Sequence, residues 1–210
     1  MKTISKLHYI TQEVQGKPHW QLAEEACRAG VSWVQLRVKN KSVEEITNIA
    51  FKTLEVCKQY GCKLIINDHV DIVRQCKADG VHLGKTDMDP LVARNILGID
   101  AIIGGTANTL EDLKALVNKE VDYIGLGPFK FTTTKEKLSP ILGLQGYREI
   151  MKQYMLEKKT KPVIAIGGIL PEAVTLLLET GVYGVAVASS IGLAMNMSVA
   201  VGEFTEFLNR

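Results

Sequence analysis

Eight short, mostly apolar runs recur along this chain, at residues 7–11, 33–37, 63–67, 80–83, 101–104, 123–127, 162–166 and 184–188. Longer stretches with helical spacing separate them. The runs are apolar through their centres, as strands are when both faces are covered. The stretch 42–60 is the clearest helix. Val43, Ile46, Ile49, Ala50, Thr53, Leu54 and Cys57 recur there at helical spacing. Ser42 and Glu45 form a capping-box pair at its start, and Gly61 supplies a stop. Asn108-Thr109 and Leu170-Pro171 open further helices, the second with proline in its first turn. Eight β–α units in 210 residues predict an α/β fold, a single-domain (β/α)8 TIM barrel over 1–210. A doubly wound open sheet shares the alternation, which alone does not say whether the sheet closes.

Charge and composition exclude several functions. Lys+Arg number 25 and Asp+Glu 23, a net charge of +2, too balanced for a chain built mainly to grip nucleic acid. No apolar run approaches the roughly 20 residues that span a bilayer. The opening MKTISKLHYI lacks the apolar core of a signal peptide. Cys27, Cys57, Cys62 and Cys76 form no CxxC pair and no zinc spacing, which reads as reduced thiols in a cytoplasmic protein.

Polar residues gather where these strands end, and parallel α/β folds place ligands there. Gln35, Arg37 and Lys39 alternate, so their side chains share one side. Such a triad on a buried strand is costly unless something anionic meets it, and a guanidinium fork beside an ammonium suits a diphosphate. The next two runs end near Asn67-Asp68 and Asp87. Two carboxylates beside a cationic triad make a candidate Mg²⁺ site, with helix capping as the plainer reading of each. Asp89-Pro90 reads as a helix start, and His82 as a hydrogen-bonded barrel histidine. The remaining ends carry Gly104-Gly105-Thr106, Gly127-Pro128, Gly167-Gly168 and Ser189-Ser190. Glycines let backbone amides approach a phosphate, and a following helix N-terminus favours its charge. The stretch 129–143, FKFTTTKEKLSPILG, is polar and reads as a functional loop, a lid over the ligands.

The ordered set QLRVK, IIND, HLGKTD, GGTANT, GLGPFKFTTTK, IAIGGI and VASSI, from residue 35 to 191, resembles the thiamine-phosphate synthase (thiamine-phosphate pyrophosphorylase) family. The resemblance implies a (β/α)8 barrel in thiamine biosynthesis. Such an enzyme joins 4-amino-5-hydroxymethyl-2-methylpyrimidine diphosphate to a hydroxyethylthiazole phosphate, or its carboxylated form, and releases pyrophosphate with Mg²⁺. It implies that Gln35, Arg37, Lys39, Asn67 and Lys135 hold the pyrimidine diphosphate and that Asp68 and Asp87 bind Mg²⁺. Thr106 stands where the family has a pyrimidine-site serine. Thr132, Thr133, Thr134, Gly168, Ala188 and Ser189 fall to the thiazole phosphate. Arg37, Lys39, Thr106 and Lys135 are the residues expected to act in the reaction itself. Val38, Lys85 and Asn108 depart from the family pattern, standing where Glu, Gln and His are usual. The partners expected are these small phosphorylated molecules, with no nucleic acid and no membrane; a homo-oligomer is compatible with all of this. A thiazole tautomerase of the same superfamily and a non-catalytic sensor of thiamine precursors are the alternative readings. Pro128 stands where the tautomerase family carries its catalytic histidine.

Overall fold

The computed structural model of the chain describes residues 2–132, 139–158 and 160–209. Its strands are β1 (Leu7–Ile10), β2 (Trp33–Leu36), β3 (Lys63–Asn67), β4 (Gly80–Leu83), β5 (Ile102–Ala107), β6 (Tyr123–Leu126), β7 (Val163–Ile166) and β8 (Gly184–Val187). Each pairs in parallel with the next. β8 returns to β1, with Leu7 opposite Val185 and Tyr9 opposite Val187, so the sheet is a closed barrel and the open-sheet alternative is set aside. The helices that cover it are α1 (His19–Arg28), α2 (Val43–Gln59), α3 (Val70–Cys76), α4 (Pro90–Leu97), α5 (Leu110–Asn118), α6 (Gly143–Tyr154) and α7 (Val174–Leu178). α8 (Ser189–Gly192) and α9 (Met197–Leu208) complete the ring after β8.

Strand alternation splits the core in two. Val34, Leu36, Leu64, Ile66, Val81 and Ile124 face outward into the layer shared with the helices. Ile10, Trp33, Ile65, Ile102, Tyr123 and Ile164 face inward. Full burial of each such side chain is worth about 2 kcal/mol. Toward the strand N-termini the interior is an aromatic plug. Trp33 stacks on His8 at 4.3 Å, and Tyr123 meets the two edge-on at 5.5 and 5.1 Å. The plug closes that end, leaving the polar interior positions above it to line an opening at the strand C-termini.

The helix starts follow the chain's own signals. The Ser42 hydroxyl accepts from the Glu45 amide and the Glu45 carboxylate accepts from the Ser42 amide, the capping box expected. Thr109 and Asp112 form a second box at α5, and Asp89 caps α4 with Pro90 in its first turn. Val43 faces solvent instead of the α2 core. The four cysteines are free and buried; hydrogen bonding with Cys57 leads the causes that push the Cys27 thiol up to about 12.

Two expectations change. β5 runs on through Gly104, Gly105 and Thr106 to Ala107 rather than ending at 104. These glycines continue the strand because neighbours occupy their side-chain space. A Cβ at 104 would lie 2.6 Å from His82 Nδ1, and one at 105 would lie 2.6 Å from a Leu116 methyl. The stretch 129–143 is also anchored more firmly at its ends than a loose loop would be. Phe129 is buried against Tyr147, and the amides of Phe129 and Lys130 donate to Ile166 and Gly167 carbonyls at 2.8 and 2.9 Å. Leu142 and Gly143 in turn donate to the Pro128 and Phe129 carbonyls.

Candidate active site

A cavity of about 450 Å³ opens at the C-terminal end of the barrel. Gln35, Arg37, Lys39, Asn67, Asp68, Asp87, Thr106, Thr132, Gly168, Ala188 and Ser189 all line it. Residues far apart in the chain meet here because closure brings β8 beside β1. Thr133, Thr134 and Lys135, with the middle of the expected lid, lie outside the described residues.

One side of the cavity carries charge. β2 ends so that Gln35, Arg37 and Lys39 face the cavity while Val38 is buried in the outer core, as the alternation predicts. The Arg37 amide donates to Thr11 Oγ1 at 3.1 Å, tying the ends of β2 and β1 together. Deeper in, Gln35 Nε2 donates to Asn67 Oδ1 at 2.9 Å. Asp68 sits at φ 67°, a left-handed conformation that aspartate tolerates better than most residues. Its amide donates to the His82 carbonyl at 2.9 Å. Its carboxylate accepts from Lys39 Nζ at 2.6 Å.

The two carboxyl groups meet. Asp87 Oδ2 accepts from the Gly84 amide at 2.6 Å, and the Asp68 and Asp87 carboxyl groups lie close enough to shift each other's titration. Two carboxyls this close oppose each other's ionisation, so one is held below the usual range and the other above it. Burial works to raise Asp68, but Asp87 and the Lys39 ammonium outweigh it and hold Asp68 below the usual carboxylate range. Burial and the neighbouring Asp68 push Asp87 above it. Neither residue caps a helix: the N-cap of α3 is His69 and that of α4 is Asp89. The pair fits a hard divalent cation. The two side chains offer only oxygen donors, and oxygen donors are what Mg²⁺ takes. Among the described residues no third His, Cys, Asp or Glu joins them, in keeping with Mg²⁺ binding through one or two carboxylates plus water and substrate phosphates.

The other side is built from glycine and hydroxyl groups. Gly167 and Gly168 after β7 have φ 98° and 64°, conformations that side chains rarely adopt. A Cβ at 168 would lie 2.7 Å from the Phe131 carbonyl oxygen. Ser190 Oγ donates to the Ile169 carbonyl at 2.7 Å, fixing the start of α8, where Ala188 and Ser189 face the cavity.

Several lining residues went unassigned on sequence alone. Asn108 Nδ2 donates to the Gly127 carbonyl at 2.5 Å, bracing the end of β6 from the end of β5. The Lys85 ammonium is paired with Asp112 at 2.8 Å rather than standing free beside a ligand. Asp112 also accepts from the Asn108 and Thr109 amides. His82 is the hydrogen-bonded barrel histidine expected, and it also lines the cavity. Gly104 was the available signal for it, since that glycine vacates space beside the ring.

Fold and site together define a barrel enzyme with a cavity at the strand C-termini, a carboxylate–cation cluster on one side and glycine and hydroxyl groups on the other. A family model described as thiamine monophosphate synthase matches residues 7–191. The thiamine-phosphate synthase of Phocaeicola vulgatus is 45% identical over 190 residues, 90% of this chain and 91% of that one. That of Flavobacterium johnsoniae is 43% identical over 204 residues, 97% and 96% of the two chains. The solved thiamine phosphate pyrophosphorylase of Pyrococcus furiosus superposes with a TM-score of 0.84 at 31% identity, covering 97% of this chain and 95% of that one. The chain belongs to the thiamine monophosphate synthase family. Its function is that of a transferase in thiamine biosynthesis that forms thiamine phosphate.

Proposed function

We propose that this cavity couples 4-amino-5-hydroxymethyl-2-methylpyrimidine diphosphate with hydroxyethylthiazole phosphate, or its carboxylated form, in the cytoplasm, the whole of 1–210 working as one domain. The observation that supports this reading is the division of one cavity between a charged wall from β2–β4 and a glycine–hydroxyl wall from β7–β8.

Arg37 and Lys39 hold the diphosphate by charge-assisted hydrogen bonds, and Lys135 is the third cation assigned to it. Gln35, Asn67 and Thr106 orient the pyrimidine ring deeper in the barrel. Thr132, Thr133, Thr134, Gly168, Ala188 and Ser189 receive the thiazole phosphate. Asp68 and Asp87 would hold Mg²⁺, and the cation would supply charge neutralisation for the leaving diphosphate. The bond between the exocyclic methylene and the diphosphate oxygen breaks, and its electron pair leaves with pyrophosphate. The thiazole nitrogen then supplies the pair that forms the new carbon–nitrogen bond. The aminopyrimidine itself stabilises the cation between these events. Positioning and electrostatic stabilisation therefore supply the rate enhancement, with no protein nucleophile required.

A coupling assay with both substrates, reading out thiamine phosphate with and without Mg²⁺, tests this reading. Formation of thiamine phosphate that stops when the cation is chelated and returns when Mg²⁺ is restored is the expected result. Equal rates in chelator and in Mg²⁺ reject the metal assignment.

A further inference from the structure

Thr106, His82 and Tyr123 form a hydrogen-bonded line from the cavity into the barrel interior. Nε2 of His82 lies 3.0 Å from Thr106 Oγ1, and Nδ1 lies 3.0 Å from the Tyr123 hydroxyl. Two glycines make this line possible. A Cβ at Gly104 would lie 2.6 Å from His82 Nδ1, and one at Gly125 would lie 3.1 Å from its Cε1.

The line has a polarity. Tyr123 is buried in the aromatic plug, and its hydroxyl carries a single proton. Burial, reinforced by the charge of Asp122, pushes that phenol up, so it stays protonated. A buried donor left without an acceptor costs about 1–3 kcal/mol. The acceptor placed before it is Nδ1 of His82; the nearby His8 already has Nε2 on the Ser5 carbonyl at 2.9 Å. Nδ1 that accepts from the phenol cannot itself carry hydrogen. The neutral imidazole therefore bears its proton on Nε2 and donates to Thr106 Oγ1. The hydroxyl proton of Thr106 is then turned toward the cavity.

We infer that Tyr123 is a positioning residue which, through the tautomer of His82, sets Thr106 as a hydrogen-bond donor to the bound substrate. The substrate group at Thr106 is therefore an acceptor: for an aminopyrimidine, a ring nitrogen and not the exocyclic amino group. The polarity of the line stands on the structure alone, while the identity of the acceptor rests on the substrate reading above.

Two measurements test this. Nitrogen NMR of the ¹⁵N-histidine-labelled protein at about pH 8, where an ordinary imidazole is neutral, reads the tautomer directly. The His82 signals are assigned by their loss in His82→Gln. Protonated Nε2 with bare Nδ1 is expected; protonated Nδ1 overturns the inference, whatever the coupling assay gives. The second measurement is a double-mutant cycle on the KM for the pyrimidine diphosphate and on kcat. Tyr123→Phe should lower kcat/KM for that substrate about tenfold and leave the thiazole KM unchanged. Thr106→Val should lower it at least as much, and Tyr123→Phe should add nothing in the Thr106→Val background. A tenfold loss that persists in that background means Tyr123 acts only through general packing, and it overturns the positioning role. Absence of coupling by the wild-type protein counts against the substrate reading and leaves the tautomer result to decide the relay.

Discussion

The Lys39 ammonium reaches from beyond the end of β2 to within 2.6 Å of the Asp68 carboxylate at the end of β3. That contact joins the cationic triad to the carboxyl pair, since Asp68 and Asp87 lie close enough to shift each other's titration. Metal and diphosphate are thereby expected to share one electrostatic unit. Replacing Asp87 with Ala should lower the coupling rate about 100-fold or more at limiting Mg²⁺, because tenfold in rate is about 1.4 kcal/mol and a poorly neutralised leaving diphosphate costs at least twice that. Rates measured across a Mg²⁺ titration check this. A variant that follows the wild-type curve throughout would remove Asp87 from the metal site.

The two walls of the cavity should separate in kinetics. Arg37→Ala should raise the KM for the pyrimidine diphosphate by about tenfold, one charge-assisted hydrogen bond's worth, and leave that for the thiazole phosphate near wild type. Ser189→Ala should do the reverse. Gly168→Ala should act like Ser189→Ala but more severely, because its φ of 64° disfavours a side chain and the new Cβ would press on the Phe131 carbonyl. Parallel changes in both KM values for any of these variants would contradict separate anion sites.

At the opposite end of the barrel, Asp122 accepts from Arg94 at 2.7 Å, from Lys2 at 2.9 Å and from the Ile103 amide at 2.8 Å. Arg94 is buried and also donates to the carbonyls of Gly98 and Ala101. Asp122→Ala leaves that guanidinium without its counter-charge and should cost about 3 kcal/mol of stability. Because conserving the N-terminal face serves stability in such barrels while the chemistry sits at the other end, kcat at a temperature where the variant is folded should stay within about twofold of wild type. Denaturant melts paired with the coupling assay measure both. A large loss of kcat without loss of stability would refute this division.

His8 provides a pH prediction. Burial under Trp33 and Tyr123, with a further contribution from His82, lowers its imidazole to about 3 from an ordinary value of 6.5. Between those values the native state keeps His8 neutral while the unfolded chain binds a proton there. The unfolded state thus holds more protons, and stability falls as pH drops from 6.5 toward 3, with a slope of up to about 1.4 kcal/mol per pH unit from this group. His8→Phe keeps the ring stack and removes the titration, so its acid limb should be shallower over that window. Unfolding free energies measured at several pH values give the two slopes, and identical slopes would show that His8 is not the group responsible.

Local features were legible wherever the cause was local. The Ser42–Glu45 box, the Asp89-Pro90 start and the outward turn of Val38 depend on neighbours a few residues away, and each stands as read. The Thr109–Asp112 box is equally local: the helix start there was legible, its partner was not named. The extent of β5 was not legible, because a Gly-Gly pair reads as a strand end unless one knows that His82 and Leu116 fill the vacated space. Nor was the burial of Phe129, which depends on Tyr147 from the following helix. Lys85 read only as a departure from the family pattern; its pairing with Asp112 from the next β–α unit was not legible.

The sequence by itself determined the alternation of elements, the helix caps, the residue types at each strand end and, through its ordered motifs, the family. These are properties of short segments, written in spacing and side-chain chemistry. Only the tertiary structure decided that the sheet closes, that Asp68 and Asp87 come together, and that Tyr123 stands behind His82 and Thr106. Each of these depends on the register between strands distant in the chain. A barrel's register is set by the packing of all eight strands around one interior, which no single segment records.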